Sequence, residues 1–222
     1  MTNRPIRPNP TGRHPRPGAS LILLVCALLT IIPWTHLAAD TTVSANITTD
    51  TTWTLASSPY IVTGYITVQG ATTAGATLTI EPGVQVRFNS GRYLNIGGTS
   101  GNPGALIAQG TAANPIVFTS NQATPTAGYW SQIKFDDTAN DATTILEHCT
   151  IQYAGSGGQG SVYLQQASPT IRNTTIANSS SHGIYISNGT PTIDGCQFSA
   201  NGNYDLYYTG TVGGSVSGST IR

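Results

Sequence analysis

Charged side chains are scarce in this chain: Asp, Glu, Lys and Arg together make up 8 % of its 222 residues. An amphipathic helix needs a charged or long polar face, and so few such residues cannot supply one. Disorder needs high net charge or little apolar content, whereas this chain has a formal charge of zero and is 38 % hydrophobic. Mainly helical and disordered classes are therefore excluded.

Cysteine is also rare, and its positions are irregular. The chain has Cys26, Cys149 and Cys196. An odd number at such spacing matches neither a disulfide framework nor the paired Cys-x-x-Cys of a zinc site. We expect no cysteine-based metal centre.

The chain does contain many short runs of Thr, Val, Ile and Tyr separated by Gly, Asn and Pro, which is typical of an all-β protein. Some of these runs repeat. Val162-Tyr163-Leu164 returns as Ile184-Tyr185-Ile186 and again, after the same interval, as Leu206-Tyr207-Tyr208. A period in the low twenties indicates a solenoid in which each repeat forms one rung. We predict an all-β solenoid with rungs of about 22 residues.

The amino-terminal residues 1–39 have the pattern of a signal peptide. A basic leader with four arginines precedes an apolar run at residues 19–32, and small residues follow at Ala38-Ala39. Without this segment, five basic and nine acidic residues remain, a net charge of −4. Nucleic acid and anionic membranes both need a basic footprint, so neither is an expected partner.

The remaining residues divide into a cap and a repeat domain. Residues 40–58 are polar and Thr-rich, and we expect them to cover the first coil as an N-terminal cap. Residues 59–222 form the predicted β-helix repeat domain. The last rung carries no recognisable polar cap, so we expect it to stack end to end on another copy or a partner, or to continue in a longer solenoid.

Three phrases give the repeats a family likeness. They are Ala-Thr-Leu-Thr-Ile-Glu-Pro-Gly-Val at residues 76–84, Asn-Pro-Ile-Val-Phe-Thr at residues 114–119 and His-Gly-Ile-Tyr-Ile at residues 182–186. From about residue 60 to 222 the chain resembles the secreted bacterial right-handed parallel β-helix repeat proteins of the pectate-lyase-like superfold. The resemblance implies that the solenoid is a right-handed parallel β-helix. It implies no single activity, because such proteins include polysaccharide lyases, glycosidases, epimerases and adhesins.

In a stack of aligned rungs, equivalent side chains lie about 4.8 Å apart and form columns along the axis. Candidate sites are therefore sought among residues of the same column. Glu147, Arg172 and Asp194 each follow an inward apolar residue and should form one outward column. One interpretation is a surface ion ladder in which Arg172 pairs with both acids. The other is a catalytic acid–base–acid row, which makes these three weak catalytic candidates. We favour the ladder.

Tyr163, Tyr185 and Tyr207 form a second predicted column, with Lys134 one rung earlier. Each tyrosine lies between two inward apolar residues and should therefore face outward. A flat row of rings with hydroxyl edges suits the apolar faces of sugar rings. Self-stacking that shields the sheet is the alternative. These four residues are our predicted ligand-binding set.

Cys149 and Cys196 should point inward two rungs apart, about 9–10 Å along the axis. A disulfide needs Cα atoms within about 7 Å, so we expect both thiols to stay reduced and buried. His148 and His182 fall in different columns and cannot share a metal. Gly183 follows His182 at a predicted rung corner, where we expect it to act as a turn residue.

Asp136, Asp137 and Asp141 lie in one predicted loop and could bind calcium together with Glu147. The Asp-x-Asp-x-Asp-Gly spacing of a calcium loop is absent, however. We expect solvated carboxylates there, with no metal and no cofactor.

The predicted function is a secreted, non-catalytic binding or scaffold domain that contacts extracellular glycans or cell-surface material. One alternative is a polysaccharide lyase or glycoside hydrolase with its site on the Lys134, Tyr163 and Arg172 faces. The Asn-Thr-Asp, Asp-Asp and Gly-His-Gly set that marks the polygalacturonases of this superfold is absent as a set, and Ser181-His182-Gly183 matches only the last two residues of Gly-His-Gly. The other alternative is a structural fragment of a longer adhesin-like solenoid.

Overall fold

A computed structural model describes Met1, residues 39–98 and residues 101–221. Residues 2–38, which hold nearly all of the predicted signal peptide, lie outside the described residues. Within the described ranges, no helix is both long and apolar enough to cross a membrane.

The described residues form twenty short strands and one 3-10 helix, Leu55–Ser57. The strands, in chain order, are β1 Thr41–Val43, β2 Thr51–Trp53, β3 Tyr60–Val62, β4 Tyr65–Val68, β5 Ala76–Ile80, β6 Gln85–Phe88, β7 Tyr93–Ile96, β8 Gly104–Gln109, β9 Ile116–Ser120, β10 Ile133–Phe135, β11 Ile145–Glu147, β12 Cys149–Gln152, β13 Gly160–Gln165, β14 Thr170–Arg172, β15 Thr175–Ala177, β16 His182–Gly189, β17 Thr192–Asp194, β18 Gln197–Ser199, β19 Leu206–Val212 and β20 Ser215–Ser217.

The strands form three sheets in which all pairs are parallel. Sheet A has the order β1-β3-β6-β9-β12-β15-β18, sheet B the order β4-β7-β10-β13-β16-β19, and sheet C the order β2-β5-β8-β11-β14-β17-β20. The chain passes from sheet B to C to A and then adds the next strand to sheet B, as β13, β14, β15 and β16 show. This arrangement is a parallel β-helix, which confirms the predicted fold class.

The corner between sheets C and A is formed in the later rungs by a single residue with left-handed backbone. Residues with a Cβ rarely adopt this backbone conformation, whereas glycine and, to a lesser degree, asparagine tolerate it. Such a corner turns the chain without additional loop residues, which explains why Asn and Gly recur between the strands. The corner residues and their φ angles are His148 (46°), Asn173 (49°), Gly195 (61°) and Gly218 (56°).

Rungs of the predicted length are found in the carboxy-terminal part of the solenoid. There, Val162 pairs with Ile184 and Ile184 pairs with Leu206, in the spacing of the sequence repeat. Earlier in sheet B, Leu94 pairs with Ile133, so that rung is nearly twice as long. One uniform rung length therefore does not extend to the amino-terminal half, because loops inserted at the corners lengthen the chain without disturbing strand register.

The core consists of inward apolar columns. One column of sheet C runs Trp53, Ile80, Ala108, Leu146, Ile171, Ile193 and Val216. A long loop adds Trp130, whose fully buried ring stacks on Phe88 at a centroid distance of 4.0 Å. The indole Nε1–H of Trp130 donates to the carbonyl of Gln152 at 2.8 Å. The loop thus contributes to the core although it lies outside the repeat.

The two described cysteines are free and buried, as predicted. The amide of Cys149 donates to Thr174 Oγ1 at 3.3 Å, so Thr174 occupies the intervening rung. Burial raises the pKa of Cys149 to about 12 and raises the pKa of Cys196 as well.

Residues 40–58 contribute strands to the solenoid. Strand β1 pairs with β3 in sheet A, and β2 pairs with β5 in sheet C. Their action as a cap stays a prediction. At the other end, Tyr208, Val216 and Ile221 are exposed apolar or aromatic side chains. End-to-end stacking through this rung also stays a prediction.

The alternation of inward-facing and outward-facing side chains can be tested at two neighbouring residues of β17. Ile193 is fully buried and Thr192 is exposed. Ile193→Ala should lower the free energy of unfolding by about 2–5 kcal/mol, because it leaves a cavity in the column. Thr192→Ala, the matched control, should change it by less than about 0.5 kcal/mol. Denaturant unfolding of both variants measures the difference, and equal effects would contradict the assigned faces.

The cysteine assignment predicts a slow thiol reaction. Because the reactive form of a thiol is the thiolate, Cys149 and Cys196 should resist alkylation in the native protein and react quickly once it is unfolded. Mass-spectrometric mapping of iodoacetamide labelling with and without denaturant measures this. Rapid native labelling of either cysteine would show that its site opens to solvent.

Candidate functional site

The outer surface of sheet B carries the predicted ligand-binding residues in one column. Lys134 pairs in register with Tyr163, Tyr163 with Tyr185, and Tyr185 with Tyr207. The structure therefore brings all four residues together on consecutive rungs. We call this surface the tyrosine face.

The tyrosine rings are in contact, but their row is not flat throughout. The rings of Tyr163 and Tyr185 stack at a centroid distance of 5.1 Å with 20° between their planes. Tyr207 lies 5.2 Å from Tyr185 and is tilted by 53°. The hydroxyl of Tyr185 is hydrogen-bonded to the hydroxyl of Thr209 at 3.1 Å. The expectation of a flat row is thus met by the first two rings only.

Two further rings extend the tyrosine face, and our sequence prediction omitted them. His182 stacks on Tyr207 at 4.4 Å and 11°, and on Tyr204 at 5.7 Å and 6°. The backbone amide of Tyr204 donates to His182 Nδ1 at 3.3 Å. Burial lowers the pKa of His182, which favours the neutral ring. Both residues lie three positions before a column tyrosine, a spacing that could have revealed them.

Gly183 is not a turn residue, contrary to the sequence interpretation. It lies within β16, next to His182. A Cβ at this position would lie 2.5 Å from the carbonyl oxygen of Asp205 and 2.9 Å from a ring carbon of Phe198. Close packing between rungs, rather than a corner, therefore requires glycine here.

A polar cavity adjoins the tyrosine face on its amino-terminal side. It has a volume of about 250 Å³ and is lined by Tyr93, Asn95, Gln132 and Lys134. The side-chain oxygens Asn95 Oδ1 and Gln132 Oε1 are buried and have no hydrogen-bond partner among the described residues. Because a buried acceptor without a partner is costly, these oxygens favour a ligand that supplies donors.

The charge of Lys134 is compensated inside the protein. Its Nζ lies 2.8 Å from Asp136 Oδ1, and Asn95 Nδ2 donates to Asp136 Oδ2 at 3.0 Å. The same Nζ lies 5.7 Å from the ring centroid of Tyr163. Lys134 therefore joins the cavity to the row of rings without presenting an unpaired charge.

Comparison with protein-family models identifies the family. The model described as "Pectate-lyase like beta helix domain" matches residues 45–157, half of the chain, and the model "Right handed beta helix region" matches residues 132–222. The chain belongs to the pectate-lyase-like β-helix family. Searches of curated proteins and of solved structures found no match. The predicted resemblance to right-handed β-helix repeat proteins is thus confirmed, whereas secretion stays a prediction.

In this pectate-lyase-like β-helix, the predicted acid–base–acid column exists on the outside of sheet C. Glu147 pairs in register with Arg172, and Arg172 with Asp194. Arg172 binds Glu147 through two contacts, Nε to Oε1 at 2.8 Å and Nη2 to Oε2 at 3.0 Å. Gln109 donates to the same carboxylate at 3.0 Å.

Arg172 does not pair with both acids. The Asp194 carboxylate accepts instead from the Ser217 hydroxyl at 2.6 Å, and the ion pairs of the described residues include none between Arg172 and Asp194. The expected ladder is therefore reduced to one ion pair, in which a single hydrogen bond from Arg172 Nη2 holds the guanidinium toward Glu147. A catalytic role for the three residues stays a prediction.

Three of the four carboxylates considered for calcium, all but Asp137, have separate partners. Asp136 pairs with Lys134, Asp141 accepts from the amide of Ser168 at 2.7 Å, and Glu147 pairs with Arg172. Across residues 39–98 and 101–221, no group of three or more His, Cys, Asp or Glu side chains could hold a metal ion.

The Glu147–Arg172 pair predicts a dependence of stability on pH. The hydrogen bond from Arg172 lowers the pKa of Glu147 below 4.5, while partial burial opposes the shift. A lowered native pKa stabilises the protein above the unfolded pKa, and this stabilisation is lost as the pH falls through the native pKa.

Arg172→Gln should therefore lose less stability than the parent protein as the pH falls from about 5 to about 3. Urea unfolding at several pH values measures this. Arg92→Gln makes the same charge change just before strand β7, away from Glu147, and should keep the parent pH dependence. Identical curves for the parent and Arg172→Gln would contradict the lowered pKa.

Proposed function

We propose that the tyrosine face binds extracellular glycan chains and that the β-helix serves as its rigid scaffold. The observation that carries the proposal is the unbroken series of five rings, which are Tyr163, Tyr185, Tyr207, His182 and Tyr204. Next to it lies the cavity with two unpartnered acceptors.

Aromatic rings with a polar edge suit sugars, because a sugar ring has an apolar face and a hydroxyl-bearing rim. The tyrosine rings supply apolar surface and their hydroxyls supply hydrogen-bonding groups. Parallel strand ladders support four of the five rings, all but that of Tyr204, so little conformational entropy is lost there when a ligand binds. Tyr204 is 62 % exposed, which leaves apolar surface available at the carboxy-terminal end of the row.

The polar cavity supports a ligand rich in hydroxyl groups. Hydroxyls can donate to Asn95 Oδ1 and Gln132 Oε1, which have no donor in the described protein. Because Lys134 is paired with Asp136, the cavity offers no uncompensated cation for a carboxylate. We therefore propose a neutral glycan that runs along the helix axis, with some units in the cavity and others on the rings.

Catalysis is not part of this proposal. Glu147, Arg172 and Asp194 belong to sheet C, whereas the rings belong to sheet B and the segments that flank its strands. Glu147 is held by Arg172 and Gln109, and Asp194 by Ser217. The extracellular location that we propose rests on the predicted signal peptide at residues 1–39.

The proposal predicts saturable binding that depends on Tyr185. Purified protein should bind at least one neutral polysaccharide of a panel in affinity electrophoresis. Tyr185→Ala should weaken binding several-fold, since a ring contact contributes about 0.5–1.5 kcal/mol. Tyr208→Ala is the matched control. Tyr208 is also a tyrosine of strand β19 and is 64 % exposed, but it pairs in register with the inward-facing Ile186 and so does not belong to the tyrosine face. It should bind like the parent protein.

Two outcomes would overturn the proposal. One is no binding across the panel by protein that is folded, and the other is an equal loss with Tyr185→Ala and Tyr208→Ala. Release of new sugar ends from the same panel, abolished by Glu147→Gln, would instead establish a polysaccharide-degrading enzyme.

A further inference from the structure

The outer surface of sheet A carries a second cavity, which the proposed function does not use. Its volume is about 420 Å³. Three consecutive rungs form its floor through Arg87 of β6, Thr119 of β9 and Gln152 of β12. The loop that follows β9 forms a wall through Asn121, Gln122, Ala123 and Pro125. The lining includes one cation, Arg87, and neither Asp nor Glu.

Arg87 is oriented but not neutralised. Its Nε donates to Gln85 Oε1 at 2.8 Å, which holds the guanidinium plane against β6. Among the described residues, the ion pairs within 4 Å are those of Lys134 and Arg172, so Arg87 has no carboxylate partner there. The terminal Nη groups remain as donors, in the fork geometry that suits a carboxylate or sulfate.

A second donor lies on the next rung. Arg87 pairs in register with Thr119, and Gln152 Nε2 donates to Thr119 Oγ1 at 3.2 Å. Because the hydroxyl already accepts this bond, its own proton is available to a ligand. Strand spacing places the two donors about 4.8 Å apart along the axis.

The loop wall is held in place by its own hydrogen bonds. The amide of Gln122 donates to Ser120 Oγ at 3.0 Å, and Gln122 Oε1 accepts from the amide and the hydroxyl of Thr126 at 3.2 and 3.0 Å. Asn121 Nδ2 donates to Asn89 Oδ1 at 2.9 Å. A cavity shaped before ligand arrives loses little entropy on binding.

We propose that this cavity binds an oxyanion, a carboxylate or sulfate group, through the guanidinium of Arg87 and the hydroxyl of Thr119. The group can belong to an acidic sugar or to a free anion. The cavity is on sheet A and the tyrosine face on sheet B, so the proposal does not depend on glycan binding by the rings.

NMR titration of the protein with D-galacturonate, D-galactose and inorganic sulfate tests the proposal. Galacturonate or sulfate should shift the amide resonances of residues 119–123 saturably, whereas galactose, which lacks the charge, should not. Binding should weaken as salt is added, because the attraction is screened. A response to galacturonate alone identifies an acidic sugar, and an equal response to sulfate identifies a free oxyanion as sufficient.

Variants test whether Arg87 is responsible for anion binding. Arg87→Gln should weaken anion binding at least tenfold, and Arg87→Lys, which keeps the charge without the fork, should lie between it and the parent. Arg92→Gln makes the same charge change outside the lining of the cavity and should bind like the parent. Absence of binding by both anions, parent-like binding by Arg87→Gln, or an equal loss with Arg92→Gln would overturn the proposal. Circular dichroism of each variant verifies folding.

Discussion

The fold depends on the parallel hydrogen-bond ladder between rungs and, in the later rungs, on the left-handed corner residues that let the rung close. A strand that ran on past its corner would shift every following side chain to the opposite face. His148, Asn173, Gly195 and Gly218 turn the chain with one residue each and so preserve the alternation. The inward apolar columns, which supply the hydrophobic stabilisation, exist only because register is kept.

The ladder also determines the surface chemistry, because each outward side chain has its nearest neighbours one rung away. This spacing brings together the rings of the tyrosine face, the Glu147–Arg172 ion pair and the Thr119–Gln152 hydrogen bond. These contacts join residues far apart in sequence but equivalent in the repeat. Membership of the pectate-lyase-like family describes this scaffold, whereas binding specificity depends on which side chains occupy the columns.

Long corner insertions give the scaffold features that repetition alone would not. The segment between β9 and β10 places Trp130 against Phe88 in the core and builds the wall of the Arg87 cavity. Such insertions have no periodicity, so sequence comparison between rungs says nothing about their path. This is why the long rung between Leu94 and Ile133 could not be predicted from the shorter repeat of the carboxy-terminal part.

The sequence by itself determined the fold class, the inward and outward alternation, the column of Lys134 with the three tyrosines, and the burial of Cys149 and Cys196. Each of these follows from residue spacing, which a parallel ladder converts directly into position. Only the tertiary structure decided that Arg172 pairs with Glu147 rather than Asp194, that His182 and Tyr204 join the rings, and that Arg87 lies in a cavity without an acid. Side-chain rotamers and loop paths decide these contacts. Both depend on three-dimensional packing, which the spacing of residues along the sequence does not specify.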